Sequence, residues 1–221
     1  ALKALKSRAL RISRKAADIL GVQHSKAVTC VKPSGTVSQL VNSASGMHPR
    51  YSRYYLRRYR IAATDPLFHM MKDQGVTFYP EVGQKDGLAT TYVCEYPVNS
   101  PSNCLTRKDI GAIEQLELYK LIQENWCEHN ASLTVYVKDN EWFEVGNWVY
   151  KNWNIINGVS FLPYDSGHYK LAPYKEITEK EYNERMETFI NSDYSKLSKY
   201  ETEDNTEGAK ELACSGDKCD I

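Results

Sequence analysis

The chain has 221 residues, 42% of them hydrophobic and 25% charged, which is enough for one sizeable globular domain or for one domain with appendages. No apolar run approaches the roughly 18 residues of a membrane-spanning helix, and the N-terminal residues lack the continuous apolar core of a signal peptide. The six cysteines are a poor match to a secreted disulfide framework because most of them are widely spaced. We therefore expect a cytoplasmic protein with no membrane segment.

The formal net charge of zero conceals a strong asymmetry along the chain. Residues 1–60 contain thirteen Lys and Arg and one acid, Asp18, whereas the remaining residues contain more acids than bases. A basic N-terminal third favours a polyanionic partner, such as nucleic acid, a nucleotide or an acidic protein surface. An ordinary solvated helix face explains the first helix equally well.

The elements follow from periodicity in chain order. Apolar residues recur at three- and four-residue steps from Leu2 to Leu20, which predicts an amphipathic helix ended by Gly21. The later patterns predict a strand at 27–31, a strand at 54–63, a helix at 65–75 with Asp65 as N-cap, a strand at 90–98, a helix at 108–130, a strand at 132–138, a helix at 140–153, a strand at 158–163 and a helix at 179–190. This alternation predicts an α/β fold with partly parallel pairing.

A Pro-Ser-Gly-Thr turn lies between the strand predicted at 27–31 and residues that can open a helix. A chain that passes from strand to helix presents peptide N–H groups without intrahelical partners, and the helix dipole adds positive potential there. The candidate phosphate-binding residues are Pro33, Ser34, Gly35, Thr36 and Val37. The stretch is not a Walker A loop, because no Gly-Lys-Ser/Thr closes it, and an ordinary structural turn is the alternative.

The segment from residue 191 onward is polar, acidic and nearly without aliphatic residues, which predicts a flexible tail. Cys214 and Cys219 lie near its end, separated by four residues that can bend enough for the thiols to form a disulfide. A structural zinc site normally needs four ligands, and this segment contains no His and no third Cys, so no metal site is predicted. An incidental pair of cysteines is the other alternative.

Basic and aromatic residues are interleaved at 46–60, and such a pattern can bind nucleic acid by stacking and charge. If 52–62 form a strand, however, the basic residues divide between its two faces, with Arg58 and Arg60 on one and Arg57 on the other. The histidines His48, His69, His129 and His168 are isolated, which is typical of packed or surface residues rather than ligands.

Several long motifs resemble one family and occur in its order. They are VTCVKPSGTVSQLVNSASGMHPRYSRYYLRRYR, VCEYPVNSP, WCEHNASLTVYVKDNEW, FLPYDSGHYKLAPYKEIT and the terminal ACSGDKCDI. They look like the C-terminal part of the adenosylcobalamin-dependent (class II) ribonucleotide reductases of the monomeric ribonucleoside-triphosphate reductase type. The resemblance extends from about residue 28 to residue 178, with the cysteine tail added.

The resemblance implies a fold and a chemistry. Residues 1–190 would be the C-terminal part of a ten-stranded α/β barrel, and residues 191–221 a redox-active tail. In that family, adenosylcobalamin generates a thiyl radical that starts reduction of the ribose. The residues matching Pro33, Ser34, Gly35, Thr36 and Val37 would bind the triphosphate of a ribonucleotide substrate. The pair matching Cys214 and Cys219 would be catalytic and relay electrons from thioredoxin.

No stretch resembles the loop that carries the radical cysteine, and none resembles the family's N-terminal regulatory region. We therefore expect a truncated, split or spliced part of a reductase that depends on the missing N-terminal part and is inactive alone. The alternative is a basic module that binds phosphate or single-stranded nucleic acid without catalysis.

Overall fold

A computed structural model describes residues 1–164 and 170–201. The helices are α1 (Leu2–Leu20), α2 (Val37–Leu40), α3 (Pro66–Asp73), α4 (Ala112–Asn125), α5 (Trp142–Lys151) and α6 (Glu179–Ile190), followed by a 3-10 helix at Tyr194–Lys199. The strands are β1 (Tyr54–Ala62), β2 (Phe78–Pro80), β3 (Thr91–Asn99), β4 (Ser132–Val137), β5 (Gly158–Pro163) and β6 (Tyr174–Glu176). The chain is therefore mixed α/β, as its sequence predicts.

The chain divides into two compact units. Among the described residues, the first unit comprises 1–50 and 105–164, and the second comprises 51–104 and 170–201. The assignment of residues 1–190 to one barrel stays a prediction. None of the helices within 1–164 and 170–201 is long and apolar enough to cross a bilayer.

The first unit is built on a parallel pair of strands, β4 and β5, connected through α5. Every second residue of β4 is buried, and these side chains join Leu116 and Tyr119 of α4 and Trp148 of α5 in one apolar core. The parallel pairing predicted from the alternation of strands and helices is confirmed here. The opposite face of β4, which includes Ser132 and Thr134, is only half-buried.

The second unit is a four-stranded antiparallel sheet with strand order β2-β3-β1-β6. Its apolar core includes Met70 and Met71 of α3, Cys94 of β3 and Phe189 of α6. The predicted start of α3 is confirmed, since the Asp65 carboxylate accepts a hydrogen bond from the Leu67 N–H at 2.8 Å. The short strands β2 and β6 were not predicted, because three residues are too few to show an alternation of apolar and polar side chains.

The strand predicted at 27–31 is wrong. The N–H groups of Val28 and Thr29 donate to the Glu128 carboxylate at 2.7 and 3.1 Å, so they do not enter a strand ladder. Two further backbone bonds join this segment to residues 128 and 132, and the segment is extended without being a strand. The same contacts hold residues 126–130 outside α4, which is therefore shorter than the helix predicted at 108–130.

The segment predicted as a tail begins with folded residues. The Tyr200 hydroxyl donates to the Asp73 carboxylate at 2.9 Å, and the Asp193 N–H donates to the Gln74 side chain at 2.6 Å. The described part of the fold thus extends to Glu201. Cys214 and Cys219 lie outside the described residues, and the flexible tail stays a prediction for residues 202–221.

Candidate functional site

The five residues of the predicted phosphate site lie together at the start of α2 in the first unit. We call them the 33–37 turn. Pro33 and Ser34 are half-buried, whereas Gly35, Thr36 and Val37 are exposed. The turn is therefore anchored at its first residues and open to solvent at its tip.

Hydrogen bonds hold both ends of the short helix α2. At its start, the Ser34 hydroxyl accepts from the Ser38 N–H at 3.0 Å, and the Ser38 hydroxyl donates to the Ser34 carbonyl. At its end, the N–H groups of Asn42 and Ser43 donate to the carbonyls of Gln39 and Ser38 at 3.1 and 2.7 Å. Asn42 has a left-handed φ of 48°, so this end is a Schellman motif.

A chain of hydrogen bonds connects the 33–37 turn to β4. The Ser34 N–H donates to the Ser45 hydroxyl at 2.8 Å, and the Ser45 carbonyl accepts from His48 Nδ1 at 2.6 Å. The other ring nitrogen, His48 Nε2, accepts from the Thr134 N–H at 2.9 Å. The turn therefore takes its position from a strand that lies about a hundred residues further along the chain.

His48 is neutral in this arrangement. Because a peptide N–H can only donate, Nε2 must accept from Thr134, and Nδ1 must carry the proton that goes to Ser45. Burial lowers the pKa of His48 below its ordinary value, although the bond to the Ser45 carbonyl opposes that shift. Of the two places predicted for the isolated histidines, packed or at the surface, His48 takes the packed one.

Arg50 holds the other side of α2. Its guanidinium is buried and donates from Nη1 to the Ser43 carbonyl at 2.6 Å and from Nη2 to the Asn42 side chain at 2.7 Å. Its backbone is fixed as well, because the Arg50 N–H donates to the Leu105 carbonyl at 2.9 Å. The guanidinium of Arg50 therefore binds the segment that follows α2.

Two glycines differ in what they permit. Gly46 has a left-handed φ of 60°, and a Cβ placed there would lie 2.9 Å from the Lys32 carbonyl oxygen, so a side chain is excluded. Gly35 has an ordinary φ, and a Cβ placed there would meet no atom within 4 Å. Within the described residues, the space beside Gly35 is open to a ligand.

The sequence located the turn but missed its support. Ser45, Gly46, His48 and Arg50 stand together in SASGMHPR, and neither the family resemblance nor the basic and aromatic pattern at 46–60 predicts that they support the turn. Gly46, close to a histidine and an arginine, is the signal in that string, because glycine permits a close backbone approach that a Cβ would prevent.

Two arginines of the basic and aromatic stretch at 46–60 are paired with acids. Arg58 and Arg60 pair with the carboxylates of Glu95 and Glu81, so their charges are compensated rather than presented to a nucleic acid. Among residues 1–164 and 170–201, no three His, Cys, Asp or Glu side chains come together to hold a metal ion. His168 lies outside the described residues.

Comparison with known proteins identifies relatives along most of the chain. It is 30% identical over 202 residues to the adenosylcobalamin-dependent ribonucleoside-triphosphate reductase of Euglena gracilis, which covers 90% of this chain and 27% of that protein. It is 29% identical over 204 residues to the Lactobacillus acidophilus protein of the same name, covering 91% of this chain and 27% of the relative. A probable reductase of this kind from Dictyostelium discoideum is 31% identical over 194 residues, covering 84% of this chain and 24% of the relative.

The fold gives the same result. The crystal structure of a B12-dependent (class II) ribonucleotide reductase matches 92% of this chain and 28% of that one, with a TM-score of 0.74 and 25% identity. No family model matches the chain. The chain spans about a quarter of the length of the relatives that it matches. By sequence and by fold, it is homologous to part of the adenosylcobalamin-dependent ribonucleoside-triphosphate reductases, as its motifs predicted.

Proposed function

We propose that the chain is the C-terminal portion of an adenosylcobalamin-dependent ribonucleoside-triphosphate reductase, within a ten-stranded barrel that the rest of the enzyme completes. In this proposal the 33–37 turn binds the phosphates of the substrate. The observation that carries it is a turn with an exposed tip on a buried hydrogen-bonded support, in a chain homologous to enzymes named for a triphosphate substrate.

The chemistry of the turn suits phosphate. Peptide N–H groups at the start of a helix and the exposed hydroxyl of Thr36 are donors, and phosphate oxygens are acceptors. Gly35 leaves room for an anion to approach the backbone. The Ser34 hydroxyl already accepts from Ser38, so it contributes to a phosphate only as a donor.

Adenosylcobalamin is the proposed cofactor of the complete reductase. The donors of the 33–37 turn are amides and hydroxyls, which fit phosphate, whereas cobalt in nitrogen ligation calls for groups such as a free imidazole nitrogen. Both ring nitrogens of His48 are engaged by Ser45 and Thr134. We therefore assign no cobalamin contact to this site.

The tail cysteines have a separate proposed role. Cys214 and Cys219 would cycle between a disulfide and a dithiol, taking two electrons and two protons from the thioredoxin dithiol, which becomes a disulfide. In the chain as it stands, we expect thioredoxin with its reductase and NADPH to reduce one disulfide per molecule. The double variant Cys214→Ser, Cys219→Ser should abolish that NADPH consumption, and unchanged consumption would contradict the proposed role.

Triphosphate binding to the chain tests the phosphate site. Calorimetry should show that a ribonucleoside triphosphate binds and the matching ribonucleoside does not. Gly35→Asp should lower the affinity about tenfold or more, because it adds a like charge and removes hydrogen bonds worth about 1.5 to 3 kcal/mol each. Gly146→Asp is the matched control, since Gly146 in α5 also has an ordinary φ and no atom within 4 Å of a Cβ.

Equal binding of nucleoside and triphosphate would refute the phosphate site, and so would an equal effect of the two Asp variants. Salt-dependent binding to single strands of any sequence would favour the noncatalytic module instead. We expect no deoxyribonucleotide from the chain alone when adenosylcobalamin, thioredoxin and triphosphate are supplied. Formation of deoxyribonucleotide would refute dependence on a missing part.

A further inference from the structure

The two hydrogen bonds of the His48 ring connect β4 to Ser45, and the Ser45 hydroxyl accepts from the Ser34 N–H at the start of the 33–37 turn. We propose that His48 is a positioning residue: through Ser45, it sets the Ser34 peptide against β4 and so orients the N–H groups at the turn's tip. This inference rests on the proposed phosphate-binding function of the turn.

Both partners of the His48 ring are backbone groups, the Ser45 carbonyl and the Thr134 N–H. A neutral imidazole spans them because it donates at one nitrogen and accepts at the other on a rigid ring. His48 is only 9% exposed, so removing the ring would leave the Thr134 N–H without this acceptor, and the Ser45 carbonyl would keep only the bond from the His48 N–H at 3.1 Å. Burial and pairing together explain why a polar residue occupies this place.

His48 and Arg50 hold different ends of α2. The guanidinium of Arg50 binds Asn42 and Ser43, which follow the helix, whereas the His48 ring acts through Ser45 on Ser34, which precedes it. Proposed phosphate donors lie at the preceding end. Displacement of that end by a fraction of an ångström changes the direction of several N–H groups at once, which is why His48 bears on binding.

The two nitrogens can be tested separately because two amide side chains mimic one each. Asn carries its amide nitrogen at the place of Nδ1 and can still donate to the Ser45 carbonyl, which is the link that leads to the turn. Gln reaches the place of Nε2 and can accept only from Thr134. Ser45→Ala removes the next link, the hydroxyl that accepts from the Ser34 N–H, and leaves His48 untouched.

The experiment measures triphosphate affinity by calorimetry and hydrogen exchange of the Ser34 amide by NMR, in each variant below its unfolding transition. His48→Asn should keep affinity within about threefold, whereas His48→Gln and Ser45→Ala should each lose about fivefold to tenfold, the equivalent of one hydrogen bond. Exchange of the Ser34 amide should accelerate in His48→Gln and in Ser45→Ala, and it should not accelerate in His48→Asn.

Two results would overturn the inference: wild-type affinity in His48→Gln and Ser45→Ala, or an unchanged exchange rate of the Ser34 amide in both. Absence of triphosphate binding by the wild type would refute the proposed function of the turn. The exchange rates would then still decide whether His48 fixes Ser34.

Discussion

The two units use their buried polar residues in different ways. In the second unit, the Glu95 carboxylate binds Arg58 at 2.6 Å and Arg185 at 2.9 Å, and Arg185 also pairs with Glu181 at 3.4 Å, so two cations and two carboxylates satisfy one another in a closed group. In the first unit, His48 and Arg50 bond to backbone groups of the segment that follows α2, and Ser45 connects that segment to Ser34 before the helix. The closed group stabilises a sheet, whereas the open arrangement fixes a turn whose tip faces solvent.

The difference between the two networks indicates which of them can affect ligand binding. A buried ion pair that is complete within itself has no capacity left for a ligand, and its removal should affect only folding. A buried network that ends at an exposed turn transmits its geometry to whatever the turn binds. We therefore expect substitutions in the Glu95 group to change stability alone, and substitutions in the network behind the 33–37 turn to change what the turn binds.

Glu95→Ala should have the largest effect. It leaves the side chain of Arg58, which is 10% exposed, without its carboxylate partner, and we expect a loss of about 3 to 5 kcal/mol in the free energy of unfolding. Urea unfolding measures it. Glu81→Ala is the control, because its partner Arg60 is 41% exposed and such pairs contribute about 1 kcal/mol or less. Equal losses would show that the Glu95 group is not a closed buried network.

Gly46→Ala should have an intermediate effect. A left-handed φ costs a non-glycine residue about 1 to 2 kcal/mol, and the new Cβ would also press on the Lys32 carbonyl. Gly35→Ala should change the free energy of unfolding by less than about 0.5 kcal/mol, because nothing lies near its Cβ. If thermal unfolding ranked the two substitutions in the opposite order, the assignment of support to Gly46 and of open space to Gly35 would be wrong.

A smaller, pH-dependent effect is expected from His48. Because its pKa is lowered in the folded state, the unfolded chain binds the proton more readily, and stability rises with pH in that range. The contribution should be complete above the ordinary imidazole pKa of about 6.5 and should be lost as the pH falls toward the lower folded pKa. The nearby cation Arg50 is bonded to Asn42 and Ser43.

Urea unfolding at several pH values measures this dependence, with His48→Asn as the control because it removes the titrating ring. A wild type and a variant with the same pH dependence between about pH 5 and 7 would contradict the assignment. Loosening of the turn at low pH should appear as a lower protection of the Ser34 amide relative to an unstructured peptide at the same pH.

The last prediction involves no change in stability. Burial raises the pKa of the Cys94 thiol to about 11, so little thiolate exists at neutral pH. Cys30 and Cys104 are half-buried. Mass spectrometry after brief treatment with iodoacetamide should find these two modified and Cys94 unmodified, with Cys94 reacting once urea is added. Early modification of Cys94 would show that the core of the second unit opens.

Local patterns determined much of this protein. The apolar repeat and Gly21 predict α1, the capping residue Asp65 with Pro66 predicts α3, and the alternation in β4 predicts a half-buried strand. Each depends on residues within a few positions of one another, and the turn at 33–37 was located for the same reason. The resemblance to the reductases also lies in the sequence, because whole motifs occur in order.

Tertiary structure decided what the turn rests on and which segments become strands. The Thr134 N–H that holds His48 is 86 residues away in the chain, and the Glu128 carboxylate that keeps Val28 out of a strand ladder is 100 residues away. A buried N–H takes whichever acceptor the fold brings within reach, and propensity does not encode that choice. The sequence therefore determined the longer elements and the resemblance to the reductases, and the tertiary contacts decided which short segments become strands and how the candidate site is held.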